Sequence, residues 1–181
     1  MKAQLEQQLE QDFFFMRKSR IENEKNLYKS FGCECGDGWY DLIHDLCQSI
    51  SERYECDGKS VNIVILQVKE KFASLRFYYE FEGVPCPIQA LDSLGDGTGL
   101  RFVPNNNDTD EATKQLRKDI SEIVLSYEKK SETVCEICGA VGKIRMDMPW
   151  KRTLCENCYS NYLKKVEESK KKHKKDINTK N

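Results

Sequence analysis

The sequence lacks any apolar run approaching the ~20 residues that span a bilayer, so no membrane partner is expected. Its opening, Met1-Lys2-Ala3-Gln4-Leu5-Glu6, is polar and acidic, unlike the apolar core of a secretory signal. Histidine is scarce: there are only two, His44 and His173, and nothing arranges them with Ser and Asp as a hydrolytic triad. A phosphate loop is missing as well. Gly95-Asp96-Gly97-Thr98-Gly99 has neither the GK[ST] ending nor a long strand before it. These absences weigh against an enzyme, and a non-enzymatic protein is expected.

Cysteine is the residue in surplus. Nine are present, an odd number, without an export signal, and four have metal-ligand spacing. Those features favour a reducing cytoplasm over a disulfide scaffold. Cys135-Glu-Ile-Cys138-Gly139 and Cys155-Glu-Asn-Cys158 form two CxxC pairs, with sixteen residues between Cys138 and Cys155. Each pair places two thiolates on one tight turn, and a tetrahedral ion joins the turns. Cys135, Cys138, Cys155 and Cys158 are therefore expected to bind one structural Zn²⁺. Four thiolates leave no open coordination position for catalysis. Gly139 suits the left-handed residue that follows such a knuckle.

A chain of 181 residues, 39% hydrophobic and 33% charged, supports one modest core plus a metal-stapled module. The net charge of −1 conceals an imbalance. From Thr133 to Asn181 there are twelve Lys and Arg against six Asp and Glu; the rest carries seventeen against twenty-four. Much of the C-terminal excess is the Lys170–Lys175 run, which reads as a solvated, disordered tail over 170–181.

Taken in order, residues 2–30 read as helix, with Leu5, Leu9, Phe13 and Met16 at helical spacing. Phe13-Phe14-Phe15 needs cover, either from this chain's core or from a second copy in a homo-oligomer. Three glycines in Gly32–Gly38 make a loop, and Asp37 is the expected cap of a helix from Trp39 to Tyr54. Its apolar face is Trp39, Leu42, Ile43, Leu46, Cys47 and Ile50. Val61–Val68 and Leu75–Phe81 read as an antiparallel hairpin joined by Lys69–Ser74. Segment 84–108 is irregular, with a short helix at Ile88–Leu94 and a short strand at Leu100–Val103. Asp108 or Thr109 is the expected cap of a long helix over Asp110–Lys130. Lys143–Met146 and Arg152–Leu154 read as short strands, and a helix follows Cys158 through Tyr159, Tyr162, Leu163 and Val166. The predicted fold is α+β: N-terminal helices (1–31), a core with a hairpin or small sheet and a long helix (32–132), and a C-terminal treble-clef zinc finger (133–169).

Weaker constellations are also present. Cys33-Glu34-Cys35 with Cys56, Cys86 or His44 would make a second metal site, although Cys-x-Cys is a poorer signal than CxxC. Lys69-Glu70-Lys71 beside Arg76 would suit a nuclease only with further carboxylates, for which Asp37, Asp41 and Asp45 are the available residues. The solvated hairpin tip is the simpler reading.

The finger resembles the GATA type, which also has a tryptophan and basic residues between its pairs, here Trp150-Lys151-Arg152. That resemblance implies nucleic-acid contacts at Lys151, Arg152, Asn161, Lys164 and Lys165. A broader resemblance rests on Gly38-Trp39 with Leu42-Ile43 and Leu46-Cys47, on Gln67–Phe72 running into Leu75–Tyr78, and on Cys135-x-x-Cys138-Gly139 with Trp150-x-x-Thr153-Leu154-Cys155-x-x-Cys158. In this order they are similar to a group of uncharacterised small phage and bacterial proteins. Many of those have glycine where Ala73 or Ser74 stands, and most lack a segment like 84–108. The resemblance implies a phage-encoded chain acting in the host cytoplasm, without a mechanism. A host or phage protein is the first expected partner. Nucleic acid bound by the finger and basic tail comes second, and a small molecule or nucleotide at the Gly32–Gly38 loop and the glycine-rich segment Gly95–Gly99 third.

Overall fold

Helix formation halts at Phe13. A computed structural model describes residues 1–84 and 110–178, with side chains as far as 171. In it α1 (Ala3–Asp12) ends where Phe13 turns extended, at φ −124° and ψ 111°. Three consecutive positions of an α-helix spread over about 200°, so an unbroken helix could bury only part of Phe13-Phe14-Phe15. The chain instead makes a single 3₁₀ turn, Phe14–Met16. Phe13, Phe15 and Met16 then all enter the core, and Phe14 stays outside beneath the guanidinium groups of Arg17 and Arg20. The expected continuous helix over 2–30 is thus replaced by α1, two 3₁₀ turns and a short α2 (Leu27–Phe31). Phe13 and Phe15 are thus covered by this chain's own core, while Phe14 of the same triplet stays 58% exposed.

Asn26 caps α2 by accepting from the Lys29 amide at 2.8 Å, and its own amide donates to the Ile65 carbonyl. Gly32, at φ +65°, ends α2 against the Glu6 carboxylate. The Gly32–Gly38 stretch is more ordered than a free loop. It contains β1 (Cys33–Glu34) and a 3₁₀ turn, Asp37–Trp39. Asp37 does not cap the next helix. Its carboxylate accepts from the Lys2 backbone amide and pairs with the Lys2 ammonium. That helix, α3 (Tyr40–Cys56), buries Leu42, Ile43, Leu46, Cys47 and Ile50, the face that periodicity specifies.

The expected hairpin is present, with longer arms. β2 (Ile63–Lys71) and β3 (Ser74–Phe81) pair antiparallel from Ile63 opposite Phe81 to Lys71 opposite Ser74. A register shift lies between Ile65 and Gln67. The turn is only Phe72-Ala73, both at positive φ (54° and 66°), as a two-residue type I′ turn requires. β1 adds in parallel to β2, giving a three-stranded sheet in the order β1-β2-β3 with β2 central.

Helix α4 (Glu111–Ser131) is capped by Asp110, whose carboxylate accepts from the Thr113 amide at 3.0 Å. The expected caps, Asp108 and Thr109, lie outside the described residues. So do Cys86, the glycine run at 95–99, the helix and strand read within 84–108, and residues 179–181. Leu116, Ile120 and Val124 of α4 join α3 and the inner sheet residues Ile63, Ile65, Val68, Leu75, Phe77 and Phe81 in one core. The outer edge of β3 is closed by side chains of α4. The Phe77 amide donates to Glu128 Oε1 at 2.9 Å, and the Leu75 amide to Ser131 Oγ at 2.8 Å.

Past α4 come β4 (Lys143–Arg145) and β5 (Arg152–Leu154), an antiparallel pair with Ile144 opposite Thr153. Helix α5 (Glu156–Asn178) begins inside the second cysteine pair and runs on through the lysine run, consistent with the good helix propensity of lysine. No helix among the described residues is long and apolar enough to cross a membrane.

Candidate metal centre

The first cysteine pair sits on a turn that follows α4 directly. The Cys135 amide donates to the Ala140 carbonyl, and the Gly139 amide donates to the Cys135 carbonyl at 2.8 Å. Gly139 has φ +77°, the left-handed geometry its place after the knuckle requires. The second pair begins α5, where the Tyr159 amide donates back to the Cys155 carbonyl. The β4-β5 hairpin joins the two turns and brings the four sulfurs together. All four Sγ atoms of Cys135, Cys138, Cys155 and Cys158 lie within 4.8 Å of one another, with Cys138 and Cys155 3.6 Å apart. Tetrahedral zinc with ~2.3 Å bonds to sulfur sets sulfurs about 3.8 Å apart, so the cage fits such an ion.

The electrostatics favour a cation. The Cys158 amide lies 3.4 Å from Cys155 Sγ and, as the largest influence, draws that thiol down to about 7, where thiolate is abundant at neutral pH. Burial and the neighbouring thiols push Cys158 up. Four such groups cannot all ionise at this separation without positive charge among them.

The finger is bonded to the rest of the molecule on several sides. The Gly38 amide donates to the Glu136 carbonyl at 2.9 Å, and the Gly36 amide to Glu136 Oε1 at 3.0 Å. The fully buried Trp39 donates its indole N–H to the Val134 carbonyl at 2.8 Å. Thr153 Oγ1 donates to the Ala73 carbonyl at 2.7 Å, and Trp150 Nε1 to Glu70 Oε2 at 2.8 Å. Gly38 is pressed so closely that a Cβ there would overlap the Cys135 carbonyl oxygen. Within the finger, Met148 and Leu154 form a small core with Cys135, against which Tyr159 and Tyr162 pack. Arg145 stands 4.3 Å from the Tyr159 ring centroid and donates to the Leu154 carbonyl.

The residues suggested for nucleic-acid contact do not share one environment. Arg152 is held by Glu136 Oε2 at 2.8 Å. Lys151 is exposed in the β4-β5 loop, and Asn161, Lys164 and Lys165 are exposed on α5. Glu136 lay hidden from sequence reasoning, since a glutamate between two ligands reads as solvent-facing; it is 5% exposed and bridges the body and Arg152. Nothing in sequence spacing marks Glu70 or Thr153 as the residues that join the hairpin to the β4-β5 segment.

No second metal cluster occurs among the described residues. Cys33, Cys35 and Cys47 are buried, Cys56 is exposed, and no disulfide joins the described cysteines. Burial raises the Cys33 and Cys47 thiols and pushes Cys35 up to about 12, so these behave as apolar core residues. His44 lies 3.5 Å from Asp12 and edge-on to the Phe13 ring. Asp37 pairs with Lys2 and Asp45 with Lys130, and the carboxylate cluster that a nuclease reading needs is not formed among the described residues. In the Gly32–Gly38 stretch, Gly36 and Gly38 are packed against Glu136 and Cys135, and the glycine-rich segment read with it lies outside the described residues. Compared with family models, curated proteins and solved structures, the chain matches none.

Proposed function

We propose that the cysteine tetrad holds one structural zinc ion in a treble-clef arrangement, and that this protein acts by presenting a metal-fixed surface to a macromolecular partner. The observation that carries this reading is the bonding of the finger to the body at Gly36, Gly38, Trp39, Ala73 and Glu70. An ion in a four-thiolate cage has no open position for substrate. What it does accomplish is to hold the β4-β5 loop and the start of α5 at set places against the hairpin. The resemblance to small phage and bacterial proteins supports a phage-encoded binding protein, and the exposed lysines of α5 supply a cationic surface.

Metal content tests the first half of the proposal. Purified protein should carry one zinc per chain by elemental analysis, and Cys155→Ser should lose that metal together with the order of the finger, because a structural ion's binding energy is folding energy. Protein with well under one zinc per chain, and unchanged unfolding in Cys155→Ser, would overturn it.

A further inference from the structure

The four sulfurs of the tetrad sit on two turns, and each turn is seated by its own protein bonds. The first rests on the body, where Glu136, between Cys135 and Cys138, takes the Gly38 amide on its carbonyl and the Gly36 amide on its carboxylate. The second opens α5 and is tied back to the β4-β5 hairpin. Glu156, next after Cys155, pairs with Lys143 at 2.9 Å and with Arg145 at 3.1 Å, and the Tyr159 hydroxyl donates to Asp147. That hairpin reaches the body through Thr153 and Trp150. The turns are thus held facing one another, with Cys138 Sγ and Cys155 Sγ 3.6 Å apart, about 1.5 Å more than a sulfur–sulfur bond.

One side of this cage is open to solvent. Cys135 is buried and Cys155 and Cys158 are half-buried, but Cys138 is exposed, within a run from Ile137 to Val141 that is exposed throughout. The remaining described cysteines are placed differently. Cys33, Cys35 and Cys47 are sealed in the core, and Cys56, exposed at the end of α3, joins no cluster of ligand side chains among the described residues. A dissolved oxidant therefore reaches Cys56 and the Cys138 edge of the tetrad. At Cys138 a second sulfur from the opposite turn stands ready to complete a bond, as a resolving cysteine does.

We propose that the tetrad is also a redox site, at which a hydroperoxide exchanges the ion for a disulfide between Cys138 and Cys155. The proposal deepens the metal reading above and rests on it. As metal ligands the sulfurs are thiolates. Cys138 Sγ takes an oxygen from the hydroperoxide: an S–O bond forms, the O–O bond breaks, and the other oxygen leaves as an alcohol, or as water from hydrogen peroxide, after gaining a proton. Cys155 Sγ then attacks Cys138 Sγ. The S–S bond forms as the S–O bond breaks, and the hydroxide released takes up a second proton. Two thiolates have lost two electrons, and the peroxide has taken both. Cys135 and Cys158 remain, too few thiolates to keep an ion in a four-coordinate structural site. The new bond joins the same two turns that the ion joined, so the finger stays seated on the body, and a thiol reductant with zinc present restores the first state. A disulfide within either CxxC pair would leave the turns unjoined.

The test treats zinc-loaded full-length protein with hydrogen peroxide beside a chromogenic zinc chelator. It is run on the wild type and on a Cys56→Ser, Cys86→Ser background, which removes the thiols outside the core and the tetrad. Both should release their zinc, and dithiothreitol followed by zinc should reverse the release. Peptide mapping of the oxidised protein should find Cys138 joined to Cys155. The Gly38 amide reports whether the finger is still seated, since it donates to the Glu136 carbonyl. Its hydrogen exchange should stay within about three-fold of the zinc-loaded rate after oxidation, and should rise by more than roughly ten-fold in reduced protein stripped of metal by chelator. Zinc retained through the treatment, sulfinic acid without a bridge, or pairing within a CxxC turn overturns the redox site and leaves the metal reading standing. So does a Cys138–Cys155 bridge whose Gly38 amide exchanges as fast as in the stripped protein. Protein that carries no zinc at the outset overturns both.

Discussion

Gly38 shows how much a missing methyl group can decide. Its neighbour Trp39 carries the buried ring, yet Gly38 sets how closely the body approaches the first metal knuckle. Its amide donates to the Glu136 carbonyl, and any Cβ would overlap the Cys135 oxygen. Gly38→Ala should cost about 2–3 kcal/mol in chemical unfolding, the usual scale for a backbone clash at a packed site, and should weaken zinc retention under chelator. A loss below about 0.5 kcal/mol would show that the junction relaxes freely. At Ala73 the opposite holds, since φ +66° disfavours any Cβ.

Where strands and helices are concerned, the sequence was most readable where one periodicity governed a whole segment. The buried face of α3 and the central face of α4 follow helical spacing, and the alternation of Leu75, Phe77, Tyr79 and Phe81 marks the inner side of β3. The N-terminal segment was misread because Phe13, Phe15 and Met16 cannot share one helical stripe, and burial of all three overrode the local pattern. The four-cysteine cage was plain from spacing, whereas its attachment to the body was not. That attachment uses backbone carbonyls at Ala73, Val134 and Glu136, which no side-chain pattern announces. The closure of the β3 edge by α4 was hidden too, because Glu128 and Ser131 read as surface residues. Removing either acceptor leaves a buried amide unpaired. Glu128→Ala and Ser131→Ala should each destabilise by about 1–3 kcal/mol, and the Phe77 or Leu75 amide should exchange faster with solvent by NMR. Wild-type exchange at these amides as fast as in loops would refute the role given to α4.

Taken as a single cooperative unit, the molecule should show acid sensitivity traceable to one junction. Arg53 of α3 bonds Asp119 of α4 at 2.8 Å and also pairs with Asp57. The bond to Arg53 is the leading cause that holds the Asp119 carboxyl below its ordinary range. A depressed carboxylate contributes stability above its unfolded pKa of ~3.9, and that contribution is lost as pH falls through the lower folded value. Wild type should therefore exceed Arg53→Met in stability by a constant margin above about pH 5, and the margin should shrink below about pH 4 in urea titrations. A margin independent of pH would assign the effect to packing of the arginine stem. The acidic body and basic C-terminal segment give the molecule a charge polarity as well, so salt should affect its association more than its folding.

The bonds that fasten the finger join residues far apart in the chain: Ala73 to Thr153 and Glu70 to Trp150 at eighty residues, and Gly36 to Glu136 at one hundred. During synthesis the hairpin turn emerges long before its partners. It must wait, with Ala73's carbonyl and Gly38's amide open to water, until the last cysteine pair has left the ribosome. Loop closure over such separations is slow and comes late. On the proposed zinc reading, capture of the ion becomes the event that completes the fold, and the supply of zinc would set when a newly made chain becomes the finished molecule.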